Sequence, residues 1–145
     1  MKRFSVVLIT ALSLAVLSFA VTPHSAAYAS CTPNWHVAQS ATINRLPPVL
    51  GNNTIGSISL LRDGCGDIQA SLTITQTFFQ GKYSLTDANT NTVIWSGTVP
   101  YPSSVPFTQT SPIFAGYGGI GVFASGTIFR VGVGGSASTA TDYGN

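Results

Sequence analysis

The chain has 145 residues and a formal net charge of +2, but Lys2 and Arg3 precede an uncharged apolar run from Ser5 to Val21 and the small-residue stretch Ala27-Tyr28-Ala29. That is the pattern of a secretory signal peptide over residues 1–29; its removal from 145 residues leaves 116, with four cations against Asp63, Asp67, Asp87 and Asp142, a net charge of zero. A chain so poor in charge excludes a binder that reads a phosphate backbone, and an exported one excludes a cytosolic enzyme.

Residues 30–53 form a mixed lead-in with Pro33, Pro47 and Pro48, in which His36 to Ile43 fits a short strand or a short helix. Gly51-Asn52-Asn53 signals a turn. Thr54 to Arg62 alternates, with Ile58 and Leu60 on one face and Ile55 and Leu61 on the other, and Asp63-Gly64 closes it as a turn dipeptide. Ile68 to Phe78 shows period-2 alternation, because Ile68, Ala70, Leu72, Ile74, Gln76 and Phe78 share one parity while Ser and Thr fill the other. Tyr83–Asp87 and Thr92–Thr98 flank Ala88-Asn89-Thr90-Asn91 as a hairpin. Residues 99–112 read as a loop, since four prolines lack the amides that a central strand needs. Ile113-Phe114 fits a short strand, residues 116–121 a glycine turn, and Val122 to Val131 a last long strand. Residues 132–145, rich in Gly, Ser, Thr and Ala, read as a flexible tail.

No segment outside the leader keeps a helical period, and none later supplies the run of about 20 apolar residues that spans a membrane. The expected fold is all-β: a single small antiparallel sandwich or barrel of about six to seven strands over residues 30–131. Its expected core is Ile58, Leu60, Ile68, Leu72, Ile74, Phe78, Trp95, Val122 and Ile128.

Two cysteines, Cys31 and Cys65, remain in the mature chain. An even count in a small exported domain implies a disulfide. The alternative is acylation, because Ala29-Ser30-Cys31 resembles the end of a bacterial lipobox. Against it stand Tyr28 where an aliphatic residue is usual, an apolar run that ends upstream, and the odd thiol left at Cys65.

The chemistry-bearing residues are few. There is no Glu, and Asp63, Asp67 and Asp87 occupy turn positions that favour Asp for geometry alone. His36 is the one mature histidine that a serine nucleophile could use as base, and no Gly-x-Ser-x-Gly elbow accompanies it. Metal ligands are too few for zinc, and the Asp63/Asp67 spacing matches no established calcium loop. The expectation is therefore no enzyme, no cofactor and no metal. Aromatics remain as candidate binding residues: Trp35, Tyr83, Tyr101, Phe107 and Tyr117.

The stretch Cys31, Ala41, Gly56, Ile58, Leu61-Arg62, Cys65 and Ala70 resembles a family of small exported proteins of Gram-positive bacteria that has no assigned function. Ser111-Pro112-Ile113 and Ala124-Ser125-Gly126 continue the likeness. The chain departs from that pattern at Asp63-Gly64, where Tyr-Ser is usual, in the shorter gap to Cys65, and at Gln69, where Trp is expected. The resemblance implies a secreted, disulfide-linked, largely β domain and carries no activity. The expected role is extracellular binding or structure, with a protein or cell-wall surface as partner and no nucleic acid. The second expectation is an inhibitor or antimicrobial protein acting through residues 99–112.

Overall fold

The computed structural model describes residues 31–144; the expected leader lies outside them. Eight strands form two antiparallel sheets: β1 His36–Asn44, β2 Thr54–Arg62, β3 Ile68–Ile74, β4 Gln80–Asp87, β5 Thr92–Val99, β6 Phe107–Thr110, β7 Val122–Arg130 and β8 Val133–Ser138. The orders are β1-β2-β3-β6 and β5-β4-β7-β8. The all-β architecture stands, as two four-stranded sheets rather than six or seven strands.

Alternation decides which face packs. Ile58 and Leu60 of β2, Ile68, Ala70, Leu72 and Ile74 of β3, Tyr83 and Leu85 of β4, and Val122, Ala124 and Ile128 of β7 are buried between the sheets. Small residues let the sheets close: a Cβ at Gly81 would meet the Leu72 side chain, and one at Gly126 would meet Ile58 and Leu72. On both outer faces the register instead lines up hydroxyls. Ser40, Ser59, Ser71 and Thr110 cross one sheet in a row, and Ser96, Ser84, Ser125 and Ser138 cross the other.

Four expectations are corrected. Phe78 is not core: β3 ends at Ile74, a turn breaks the parity, and Phe78 stands 73% exposed while Phe79 takes the buried place. Trp95 is only half-buried, edge-on to Tyr83 at 5.0 Å between ring centroids. Residues 107–110 leave the proline loop to form the edge strand β6, where Pro106 lies just outside the ladder. Residues 132–144 do not form a tail. Val133–Ser138 pairs with β7 from Arg130 to Ser125, and Asp142 bridges Val122.

The register also sorts the connections. His36, Arg62 and Ile68 are mutual neighbours at one end of the first sheet, as are Asp87 and Val122 in the second. The Arg62–Asp142 ion pair and the Val122–Asp142 bridge join these into one end of the sandwich. The β2–β3, β4–β5 and β6–β7 connections close there. At the opposite end Asn44 faces Thr54, Ile74 faces Phe107, Gly81 faces Val99 and Arg130 faces Val133. Leu46 bridges Gly134 across the sheets. The β1–β2, β3–β4, β5–β6 and β7–β8 connections close at this second end.

Candidate interaction surface

The first end is braced. Cys31 and Cys65 form the expected disulfide, with Cα atoms 5.6 Å apart, and the bond occupies the sulfur that acylation at Cys31 would need. Asp63 Oδ1 accepts from the amides of Cys65 (2.9 Å) and Asp67 (2.8 Å), and Asp87 Oδ1 accepts from the amide of Asn89 at 2.8 Å. Both aspartates therefore do what turn chemistry asks of them. Arg62 is 3% exposed and is held on every side. Its Nε donates to Asp142 Oδ2 at 2.6 Å, Nη1 to the Tyr117 carbonyl at 2.8 Å, and Nη2 to the Asp142 carbonyl at 3.0 Å. This pair is the only ion pair among the described residues. Burial, and secondly the nearby Asp63 charge, push the Asp67 carboxyl above its ordinary pKa. All four acids lie at this end.

The second end is built the other way. Each of its four connections puts an apolar side chain into solvent: Leu46, Val49 and Leu50 in β1–β2, Phe78 in β3–β4, Tyr101 in β5–β6, and Val131 in β7–β8. Val131 is 96% exposed and Leu50 completely so. Among the described residues, the three cations outside the ion pair flank them. Arg45 precedes Leu46, Arg130 precedes Val131, and Lys82 stands on the outer face of β4 near its start. Arg130 lies over the Phe79 ring at 4.9 Å and Lys82 beside Phe129 at 5.7 Å, so aromatic faces orient both charges. Among the described residues this end carries no acid.

Two local features show that the exposure is structural. Asn53 Oδ1 accepts the Val49 amide at 2.7 Å and the Asn53 carbonyl accepts the Arg45 amide at 2.7 Å, so the Leu46–Leu50 loop is held open from below. Phe78 adopts φ 65°, a left-handed conformation rare for a bulky side chain, and it is this conformation that turns the ring outward.

The five aromatics singled out from the sequence do not converge. Tyr83 is core, 2% exposed, and burial raises the pKa of its hydroxyl. Trp35 and Tyr117 are half-buried at the first end, where the Tyr117 carbonyl serves Arg62. Tyr101 and half-buried Phe107 lie at the second end. His36 is exposed, its Nδ1 3.3 Å from the Asn34 carbonyl. The residues that sequence reasoning missed are Leu46, Leu50, Val131 and their flanking cations. No sequence signal marks Val131-Gly132: only Gly132 takes a left-handed φ, of 71°, so the turn asks nothing special of Val131.

A shallow depression of about 650 Å³ lies on the outer face of the second sheet, lined by Lys82, Ser84, Ser96, Thr98, Ser125 and Thr127. Its hydroxyls partly satisfy one another along the rows, as Ser125 and Ser138 do at 2.7 Å, and Ser and Thr at outward strand positions are common for strand propensity alone. The second end is the more specific feature. Comparison with family models, with curated proteins and with solved structures finds no match.

Proposed function

We propose that the protein is an exported recognition domain whose binding surface is the second end of the sandwich. One observation carries this reading: four connections far apart in sequence meet at one end, and every one exposes an apolar side chain beside unpaired cations. Large apolar side chains gathered at one end and accompanied by cations favour an interaction site over ordinary surface. The disulfide, the leader-like residues 1–29 and the resemblance to exported Gram-positive domains support action outside the cell. The scarcity of titratable groups supports binding rather than catalysis.

The test has two arms. Intact mass of the exported protein under non-reducing conditions should show cleavage near residue 29 and the mass of one disulfide. Retention on intact Gram-positive cells should fall when Leu50, Phe78 and Val131 are all changed to Ser, with the melting temperature held. Equal retention of both proteins rejects this end as the binding surface. A second reading, inhibition through the proline loop, keeps some support because Tyr101 is exposed at the same end. A protease panel with Tyr101→Ala as control decides it.

A further inference from the structure

We propose that the second end docks on the surface of an anionic lipid bilayer, with the loop tips entering the headgroup boundary; this rests on the reading of that end as the binding surface. The argument begins with geometry. The apolar side chains stand exposed in four connections that all close at the same end of the sandwich, so a broad partner laid across that end is the kind that could engage them together. A protein partner is commonly met by a buried hot spot in a shaped pocket, whereas the apolar side chains of this end stand out on four separate connections and the nearby depression, on the outer face of the second sheet, is lined mainly by hydroxyls.

Chemistry points the same way. Aliphatic and aromatic side chains partition into the interfacial zone, where rings such as those of Phe78 and Tyr101 are favoured. Pro47 and Pro48 remove two amides from the leading loop, and the Val49 amide is already satisfied by Asn53, so little backbone hydrogen bonding is lost on leaving water. Arg45, Lys82 and Arg130 lie behind the tips, where headgroup phosphates would meet them. All four acids stand at the far end, so the molecule's own field turns it tips first toward a negative surface. Phe78 stands exposed in a left-handed backbone that a turn residue such as Asn would adopt more easily, so the turn itself does not call for a ring there.

The experiment is vesicle flotation of the exported, disulfide-intact protein. Vesicles of phosphatidylcholine are compared with vesicles that mix phosphatidylcholine and phosphatidylglycerol equally, at low and high salt. Binding to the anionic vesicles should be tighter by about tenfold or more, and salt should weaken it. L50S/F78S/V131S together should lower it by a further factor of about ten at unchanged melting temperature. K82Q/R130Q should remove the preference for phosphatidylglycerol and leave the residual neutral-vesicle binding. Equal binding to both vesicle types, or equal binding by wild type and the triple Ser variant, overturns the proposal. Absence of vesicle binding, with cell retention still lost in that variant, overturns the lipid assignment and leaves a wall or protein partner. If neither assay responds, the reading of this end as a binding surface fails as well.

Discussion

The two ends of the sandwich close the same strands with different residue choices, although Ile113 and Tyr143 also stand half-exposed at the first. At the first end the connections use Asp63, Asp87 and a buried Arg62, and each polar group is tied to backbone. At the second end the connections hold Leu50, Phe78 and Val131, which stand in solvent and add little packing to the fold. Turn closure alone demands nothing of the second kind. One end keeps the fold and the other is free to do something else, a division that also separates the cations outside the ion pair from all the acids.

The sharpest way to break this comparison is Arg62→Ala. Removing a buried guanidinium strands Asp142 and three carbonyl contacts, so a loss of about 3–5 kcal/mol is expected in chemical denaturation; a loss no larger than that of a surface residue would mean the first end is not the brace. Reduction of Cys31–Cys65 comes next. A loop closed across a sequence separation of 34 is worth about 3–4 kcal/mol in the chain-entropy model, read as a large fall in melting temperature with reductant. An unchanged melting temperature would remove the disulfide from the account.

The second end should respond in the other direction. Phe78→Asn relieves a left-handed backbone and should raise stability by about 1 kcal/mol, while Leu50→Ser and Val131→Ser should stay within about 0.5 kcal/mol of wild type. A large loss from any of these would show that the tips are packed rather than presented. The smallest effect is at Asp67. Its folded pKa is raised, first by burial and then by Asp63. Protonation therefore favours the folded state: this stabilisation is complete below the unfolded pKa and is lost as pH rises through the folded one. Asp67→Asn should flatten that acid-side dependence and raise neutral-pH stability by under about 1 kcal/mol, since the group is partly solvated. Melting temperature against pH for the two proteins measures it.

The strands with strong alternation were legible from sequence. Thr54–Arg62 has its observed bounds, the hairpin around Ala88–Asn91 forms, and Cys31 pairs with Cys65. Two misreadings have physical causes. Val133–Ser138 has no apolar alternation, because what it supplies is backbone for β7 and room for a neighbour: a Cβ at Gly135 would collide with the Asn44 carbonyl. Phe78 continued the parity of β3, but parity lapses where a strand ends, and sequence does not show that the end falls at Ile74. The second end was invisible for a different reason. Its residues lie near positions 50, 78, 101 and 131, and only the order of the two sheets brings those connections together.

Arg62 and Asp142 are 80 residues apart in the chain. A polypeptide released from its N terminus, whether by a ribosome or by a translocase, exposes Arg62 long before its partner emerges. Until Asp142 arrives, the guanidinium lacks its native partner and β7 lacks the Asp142 bridge at Val122. The clasp can therefore close only after the segment around position 142 has emerged, which makes it one of the last native contacts available to the growing chain.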